Sequence, residues 1–358
     1  MSDRIRTAIA GIGNCASALV QGVYAYQDVA DGGSIPGLMN TSLGGYKPRD
    51  IMFVASFDVD DRKVGKDLSE AIFETPNNTR RFATPPKLGV EVSRGPILDG
   101  LGKYLRPVIE FNSKNSPVDV AGVLKKAGAE ILVSYLPVGS ERATKFYALE
   151  ALKAGCGFIN AMPVFIASNP LWQKKFREAR LPVAGDDVMS QIGATVLHKT
   201  LVKLLVDRGV KVEESYQLNI GGDTDFLNML EEERLKSKRE SKTSAVIAMT
   251  PYPVSLRIGP SDYVEFLGNK KICYIRVDGK YFGETPVTID VKLDVYDAPN
   301  SAGVVIDVVR AMKIALDRGI SGPLTSISAY AFKHPPVQLP YDKAKQWVEE
   351  FIEGKRER

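Results

Sequence analysis

The sequence predicts an α/β protein in which a doubly wound parallel sheet is joined to a second, α+β domain with a mixed or antiparallel sheet. Short apolar runs alternate with amphipathic stretches over about the first 190 residues, which is typical of a parallel sheet covered by helices. After Asp187 the pattern changes to strict apolar–polar alternation, which indicates strands with one buried face. The length of 358 residues suits about two domains.

The strands predicted in the first half are short apolar runs bounded by turn or helix signals. They are Arg6–Gly11, Ile51–Asp58, Pro107–Phe111, Ile131–Tyr135, Gly157–Asn160 and Pro182–Gly185. Amphipathic helices are predicted between most of them, including Ser140–Ala154 and Asn169–Ala179. A Gly-, Ser-, Pro- and Asn-rich segment from Tyr26 to Asp50 interrupts the alternation, and we expect a long loop there.

The second half opens with a predicted helix, Gln191–Asp207, and continues with alternating strands, of which 287–295 is the clearest. Helical periodicity returns in Ser301–Arg318, which Gly319 is expected to end, and in the charged stretch Tyr341–Arg358. We therefore expect three parts: 1–190 as the doubly wound domain, 191–299 as the second domain, and 300–358 as a C-terminal segment that returns to the first domain.

Composition and charge exclude several classes of protein. The 47 basic and 43 acidic residues give a net charge of +4, too small for a nucleic-acid-binding surface. Three cysteines without a CxxC pair, together with only two histidines, argue against a disulfide framework, a zinc site and a Ser-His-Asp triad. The uncharged stretch 154–173 is broken by Gly and Pro, so we expect neither a membrane span there nor a secretory signal before the first strand. We expect a soluble, cytoplasmic protein without a membrane or nucleic-acid partner.

A glycine turn follows the first predicted strand. Gly11, Gly13 and Ala16 form the pattern G-x-G-x-x-A where the strand ends and a helix begins. Gly11 allows a tight turn, Gly13 lets a pyrophosphate approach the backbone, and Ala16 permits close packing of the helix on the strand. This context favours a Rossmann-type dinucleotide-binding turn over a purely structural one.

An acidic residue ends the second predicted strand. Asp58 would accept hydrogen bonds from the adenosine ribose and repel a 2′-phosphate, which favours NAD over NADP. It follows Gly13 by 45 residues instead of about 20, because the loop insert lies between them. A carboxylate that caps a helix is the alternative interpretation of Asp58.

The segment Ser134–Ser140 follows the fourth predicted strand at the same edge of the sheet, and we expect it to cover the cofactor.

A lysine-rich segment lies in the second domain. The glycine turn Asn219–Asp225 leads into residues 231–242, which hold five basic and four acidic residues. A solvated charged helix is the simplest interpretation. However, Lys238 and Lys242 are four residues apart and so share one helix face, and the preceding glycines suit a mobile lid. Lys271 and Lys333 are isolated lysines that indicate little on their own.

Together these segments closely resemble the myo-inositol-1-phosphate synthase family, in its short prokaryotic-type form. The resemblance covers essentially the whole chain. It rests on the motifs GIGNCAS (11–17), FDVD (57–60), VSYLPVGS (133–140), NAMPVFIAS (160–168), GDDVMSQ (185–191), LNIGGDTDFLNML (218–230), KSKRESKTS (236–244), YDAPNSAG (296–303) and AYAFKHPP (329–336).

The resemblance implies an NAD-dependent isomerase of inositol and phospholipid biosynthesis. Family members convert D-glucose 6-phosphate to 1L-myo-inositol 1-phosphate by oxidation at C5, enolisation, intramolecular aldol cyclisation and re-reduction, without net consumption of NAD. Every step creates or removes charge on an oxygen, and preorganised ammonium groups in a dry site stabilise such charge. Clustered lysines also lower one another's pKa, which lets one of them carry a proton near neutral pH.

By similarity, the site residues are assigned one at a time. Lys238 falls on the lysine nearest the C5 hydroxyl, and Lys271 and Lys333 fall on those that stabilise the enolate and aldehyde oxygens. The substrate phosphate itself is thought to take the C6 proton. The implied substrate-binding residues are Lys242, which matches a phosphate-binding lysine, Ser190 and Gln191, which match backbone phosphate contacts, and Asn219.

The resemblance also implies the cofactor contacts and a set of carboxylates. The cofactor-binding residues are Gly11, Gly13, Asn14, Cys15, Asp58, Ser134, Leu136, Pro137 and Asp187, the last orienting the nicotinamide amide. Asp225 and Asp297 map to catalytic positions. With Asn219 they could hold a cation, namely a divalent metal, K⁺ or NH₄⁺, or instead orient the lysine ammonium groups; both interpretations are open. The role of Asp223 is in doubt, because other family members carry Asn there.

Two other functions compete with this interpretation. One is a net NAD-dependent oxidoreductase of homoserine-dehydrogenase-like architecture, which would release NADH in every cycle. The other is a non-enzymatic NAD sensor, which has no need of four lysines around one cavity. We also expect a homotetramer, because family members associate through the sheet of the second domain. Cys15 and His198 are expected to be structural.

Overall fold

The computed structural model describes residues 4–30, 33, 35–112 and 116–358, and these residues form two sheets. The strands in chain order are β1 (Ile5–Ala10), β2 (Ile51–Asp58), β3 (Val92–Arg94), β4 (Ile131–Ser134), β5 (Gly157–Asn160), β6 (Pro182–Gly185), β7 (Lys211–Gly221), β8 (Ser255–Tyr263), β9 (Lys270–Tyr281), β10 (Thr285–Tyr296) and β11 (Gly322–Pro323).

Helices flank both sheets. In chain order they are α1 (Asn14–Ala25), α2 (Leu68–Ala71), α3 (Gly102–Leu105), α4 (Val120–Ala127), α5 (Glu141–Ala154), α6 (Pro170–Glu178), α7 (Ala194–Asp207), α8 (Thr224–Asn228), α9 (Lys236–Ile247), α10 (Asp297–Asp317), α11 (Thr325–Ala331) and α12 (Tyr341–Ile352).

The first sheet has the strand order β11-β6-β5-β4-β1-β2-β3, and every neighbouring pair is parallel. The chain starts at a central strand and winds outward in both directions. The predicted doubly wound, Rossmann-type fold is therefore confirmed. In such sheets ligands bind outside the carboxyl ends of the strands, where the winding direction reverses, and here that point lies between β1 and β4.

One predicted strand is wrong. Residues 107–111 form a turn, in which the amides of Val108 and Ile109 donate to the carbonyl of Leu105 and fold the chain back on α3. The edge strand is β3 instead, and its three residues are too few to show a period in the sequence. The predicted loop 26–50 is a loop in the described residues, apart from a short helical turn at Pro48–Asp50; residues 31, 32 and 34 of this stretch lie outside the described residues.

The C-terminal segment packs on the first sheet. β11 adds a parallel strand beside β6, and α10 lies against α1 in the same hydrophobic core. α10 begins at Asp297, four residues before the predicted start. The amides of Asp297 and Ala298 donate to the backbone carbonyl and the side-chain oxygen of Asn269, at 3.0 and 3.3 Å. This cap comes from a distant part of the chain, so local sequence does not show it.

The second sheet has the order β10-β9-β7-β8. The pairs β10–β9 and β9–β7 are antiparallel and β7–β8 is parallel, so the sheet is mixed, as predicted. Helices α7 and α9 cover one face, where Val212, Val246 and Ile275 share a core. The opposite face carries exposed side chains, among them Tyr216 and Tyr274.

The insert 35–50 is attached to α10 by a buried arginine. The guanidinium of Arg310 donates to the carbonyls of Asn40, Thr41 and Tyr46 and pairs with Asp307. Arg310 is fully buried and its pair with Asp307 is shielded from water, whereas the carbonyls it binds are partly buried. Local sequence predicts the loop, but it does not show that this single side chain binds three of the loop's carbonyls.

We expect Arg310→Met to destabilise the protein by about 3–5 kcal/mol. The substitution leaves the buried carboxylate of Asp307 without a positive charge beside it, and it leaves three loop carbonyls without the donor that Arg310 supplies. A lowered urea unfolding midpoint would show this. Lys345→Met, which removes an exposed pair with Glu349, is the control, with an expected effect of at most about 1 kcal/mol. Equal midpoints for the two variants would contradict the assigned role of Arg310.

Candidate active site

A cavity of about 260 Å³ lies at the carboxyl edge of the first sheet and is closed on its far side by residues of the second domain. The glycine turn, the segment 135–138 and Asp58 line one end. Lysines from α9, β9 and the segment after α11 line the other end. Because these elements are far apart in sequence, only the folded chain brings the predicted cofactor and substrate ends together.

The glycine turn has the geometry that a dinucleotide requires. Gly11 adopts φ +91°, and a Cβ there would lie 2.5 Å from the carbonyl oxygen of Tyr135. Gly13 has no atom within 4 Å of the place where a Cβ would be, so its backbone faces open space. Asp58 accepts a hydrogen bond from the amide of Ile12 at 2.6 Å, which places the carboxylate beside the turn. Asp58 therefore does not cap a helix.

Asn14 and Cys15 begin α1 at the edge of the cavity. The side-chain oxygen of Asn14 accepts from the amides of Asn78 and Thr79, at 2.8 and 3.0 Å, and so holds that loop over the turn. Burial, with a smaller effect of Asp297, raises the pKa of the Cys15 thiol to about 12. Cys15 thus stays a protonated packing residue.

The segment that follows β4 is divided between cavity and core. Leu136 and Pro137 line the cavity. Ser134 is fully buried, its hydroxyl has no hydrogen-bond partner among the described residues, and it is not part of the described lining. Leu136 and Pro137 are thus placed to contact a cofactor, whereas Ser134 lies behind them.

Three of the four predicted lysines have a carboxylate partner. Lys238 lies 2.7 Å from Asp225, Lys271 lies 3.1 Å from Asp297, and Lys333 lies 2.8 Å from Asp187. All six side chains line the cavity. Each carboxylate fixes the position of one ammonium group, which is the preorganisation that charge stabilisation requires.

Lys242 is different. It is buried, it lines the cavity, and none of the hydrogen bonds or ion pairs of the described residues involves it. Burial, followed by the charges of Lys271, Lys238 and Lys333, lowers the pKa of Lys242 to about 7. The cavity therefore contains a buried lysine that makes no ion pair with the described residues and is partly protonated at neutral pH.

The expected mutual lowering of lysine pKa values occurs at two of the four positions. Burial also lowers the pKa of Lys333, although Asp187 opposes the shift. Burial alone would lower the pKa of Lys238 and Lys271 as well, but their carboxylate partners outweigh it and raise both. Lys238 and Lys271 are thus fixed cations, and Lys242 titrates near neutral pH.

Comparison with known proteins identifies the family. The sequence pattern of the family described as myo-inositol-1-phosphate synthase matches residues 193–298. The inositol-3-phosphate synthase of Mycolicibacterium smegmatis is 54% identical over 360 residues, covering 99% of this chain and 99% of that protein. The chain belongs to the myo-inositol-1-phosphate synthase family.

Two further similar proteins extend this result. The inositol-3-phosphate synthase of Mycobacterium tuberculosis is 54% identical over 356 residues, covering 99% of this chain and 97% of that protein. A myo-inositol-1-phosphate synthase-related protein from Thermotoga maritima, of known structure, is 26% identical with a TM-score of 0.80, and 98% of each chain is covered. The resemblance read from the sequence is confirmed along nearly the full length.

The carboxylates predicted as cation ligands are paired with lysines in the described part of the chain. No group of three His, Cys, Asp or Glu side chains in the described part of the chain is arranged to hold a metal ion. Asp225 and Asp297 are already paired with lysines, and Asn219 is not part of the described cavity lining. The observed pairs agree with the other interpretation, in which the carboxylates orient the ammonium groups.

Two predicted phosphate contacts separate in the structure. Ser190 lines the cavity. The backbone amide of Gln191 donates to the carbonyl of Asn300 at 2.9 Å, and the Gln191 side chain donates to the carbonyl of Gly37. Both groups of Gln191 are thus used by contacts within the protein.

His198 is buried beside Ser215, and burial lowers the pKa of His198 to about 4, in keeping with a neutral structural residue.

Two residues of the cavity, Arg234 and Lys63, were not predicted, and the structure gives Asp223, whose role the sequence left in doubt, a defined contact. Asp223 caps α8 through the amides of Asp225 and Phe226, and burial together with Asp225 and Asp297 raises its pKa to about 7. Arg234 donates to the carbonyl of Gly100, at 3.3 Å. Lys63 lies beside the glycine turn. Arg234 and Lys63 lie in charged runs of the sequence, which are usually interpreted as solvated surface. Composition and spacing therefore do not indicate that these two residues line a cavity.

Proposed function

We propose that this chain is an NAD-dependent inositol-3-phosphate synthase that converts D-glucose 6-phosphate to 1L-myo-inositol 1-phosphate. The observation that carries the proposal is one cavity with a dinucleotide turn at one end and four lysines, one of them buried and three partly buried, at the other. Full-length relatives with 54% identity bear the name inositol-3-phosphate synthase, which supports the same activity and does not favour a net oxidoreductase.

NAD fits the first end of the cavity. The open side of Gly13 and the start of α1 suit a pyrophosphate, and Asp58 beside the turn suits an unphosphorylated ribose. Leu136 and Pro137 would cover the cofactor. When bound, NAD supplies a hydride acceptor for C5 of the sugar and a hydride donor for its later reduction.

The lysines act on the substrate oxygens. The uncompensated ammonium of Lys242 would bind the phosphate, which leaves the sugar chain directed toward the paired lysines. Lys238 would donate to the C5 oxygen, and Lys271 and Lys333 to the oxygens of the enolate and the aldehyde, so that negative charge never develops unpaired. The bound phosphate is then placed to take the C6 proton before the ring closes.

A cation is not part of the proposed mechanism. Asp225 and Asp297 are paired with lysines, and in the proposed reaction the lysines, not a metal ion, polarise the substrate oxygens.

We propose a separate role for each part of the chain. Residues 1–190 bind NAD, 191–299 supply most of the substrate site and the subunit contacts, and 300–358 complete the first domain and contribute Lys333.

Product identification tests the function. Incubation with glucose 6-phosphate and catalytic NAD⁺ is expected to yield an inositol monophosphate, identified by NMR, without stoichiometric NADH absorbance. Glucose 6-phosphate lacking the C5 hydroxyl is the control, because it cannot be oxidised and should give no cyclic product. Stoichiometric NADH with a linear or lactone product would instead support a net oxidoreductase.

A homotetramer is the proposed assembly. The uncovered face of the second sheet exposes Tyr216 and Tyr274, and Phe266 and Phe282 at the sheet's ends are 90% and 94% exposed. Apolar surface of this kind is typical of subunit contacts.

We expect light scattering to give the mass of a tetramer, and Tyr274→Asp to shift it toward smaller species, because a charge would be buried at the contact. Leu171→Asp, at an exposed position of α6, is the control and should leave the mass unchanged. A monomeric wild-type protein at micromolar concentration would refute the assembly.

The proposed location is the cytoplasm. The three cysteines are free in the structure, which suits a reducing compartment. In the described part of the chain, no helix has the length and hydropathy needed to cross a membrane.

A further inference from the structure

Lys63 is a buried lysine at the cofactor end of the cavity. It follows β2, is 3% exposed and lines the cavity. Its ammonium donates to the carbonyl of Ile12 at 2.8 Å and to the side-chain oxygen of Asn77 at 3.1 Å. Ile12 lies between the two glycines of the turn, so Lys63 contacts the turn that is built to face a dinucleotide.

The charge of Lys63 has no anionic partner. No ion pair of the described residues involves it, although its neighbours Arg62 and Arg94 pair with Asp60 and Asp61. Asp58 accepts from the amides of Ile12, Val59 and Asp60 instead.

Burying an ammonium group against neutral acceptors alone is costly, and a nearby anion offsets that cost. At this end of the cavity, an anionic ligand would therefore find a buried cation that makes no ion pair with the described residues.

We propose that Lys63 is a cofactor-binding residue whose ammonium group pairs with the pyrophosphate of the dinucleotide. The inference rests on the proposed NAD dependence. The amides at the start of α1 supply neutral donors, and Lys63, which contacts the Ile12 carbonyl, supplies a full positive charge beside the same glycine turn. It therefore contributes to the affinity for NAD and not to the chemistry at the substrate end.

The competing interpretation is that Lys63 merely secures the glycine turn. The chain offers a matched control, because the side-chain amide of Asn77 donates to the same Ile12 carbonyl at 3.0 Å without carrying a charge. Asn77→Ala removes a turn contact and keeps the charge. Lys63→Met removes both. Lys66→Met removes an exposed lysine three residues away, which pairs with Glu74 outside the cavity.

NADH binding to the full chain, measured by fluorescence titration at several salt concentrations, separates these possibilities. We expect Lys63→Met to weaken NADH binding about tenfold or more at low salt and to flatten its salt dependence, since a charged contact is lost. ADP-ribose, which has the pyrophosphate without nicotinamide, should lose the same factor. Asn77→Ala should keep the wild-type salt dependence, and Lys66→Met the wild-type affinity.

The melting temperature without cofactor gives a second readout. Lys63→Met should melt at or above the wild-type temperature, because an uncompensated buried charge has been removed, and should gain less from added NADH. A variant that melts several degrees lower, fails to fold, or binds NADH with the wild-type salt dependence would overturn the proposal. If the wild-type protein itself did not bind NADH, the proposed NAD dependence would fail instead.

Discussion

Replacing Lys238 by alanine is expected to lower kcat by about 10²–10⁴-fold, the range for loss of a group that stabilises or protonates a developing oxyanion. Lys238 lies 2.7 Å from Asp225 and is kept cationic by it, so the variant loses the fixed donor that we propose for the C5 oxygen. NADH affinity should stay at the wild-type value, because the glycine turn lies at the other end of the cavity. Steady-state kinetics and an NADH titration measure the two quantities.

Two further variants make this result specific. Lys236→Ala changes an exposed lysine on the same helix and should leave kcat unchanged. Asp225→Asn keeps the lysine but removes the carboxylate that holds it, so we expect a smaller loss than in Lys238→Ala. Near-normal turnover of Lys238→Ala would show that another group acts at the C5 oxygen.

Replacing Lys242 by methionine is expected to raise KM for glucose 6-phosphate by about 10–100-fold with a smaller change in kcat. A charge-assisted contact to phosphate contributes about 1.5–3 kcal/mol, and this lysine has no other partner among the described residues. Lys242→Arg should restore most of the affinity. An unchanged KM in Lys242→Met would place the phosphate elsewhere in the cavity.

The same residue predicts the pH dependence of substrate binding. Because burial and the neighbouring lysines lower the pKa of Lys242 to about 7, the free enzyme loses this positive charge as the pH rises above 7. Binding the phosphate dianion must then add a proton, so KM should rise by up to about tenfold per pH unit above 7. Lys242→Arg should not show this rise, because a guanidinium stays charged. A KM profile equally flat in both proteins would contradict the assignment.

The strands of the parallel sheet were largely readable from sequence, whereas the short edge strand was not. β2, β5 and β6 have the predicted bounds, because buried parallel strands are continuous apolar runs between turn signals. β3 has three residues, and pairing with β2 decides its position. The true start of α10 was missed for a related reason, since its cap comes from Asn269 in the other sheet.

The candidate site shows the same division. The glycine turn was visible because its chemistry is local, and the lysines were selected by resemblance to the family. Their pairing was not visible: Asp187 and Lys333 are 2.8 Å apart, although residues 188–332 lie between them in sequence. Gln191 was misplaced because the direction of its amide depends on Asn300. Lys63 was missed because a charged run is the usual composition of a solvated loop.

The sequence by itself determined the fold class, the dinucleotide turn and the family, since periodicity and motifs are properties of neighbouring residues. Only the tertiary structure decided which lysines carry a partner. Lys238 and Lys242 are one helical turn apart on α9, yet one faces a carboxylate and has a raised pKa while the other has none and a lowered one. Burial and charges brought in from other elements set the difference, because electrostatic interactions depend on distance in space and not on separation along the chain.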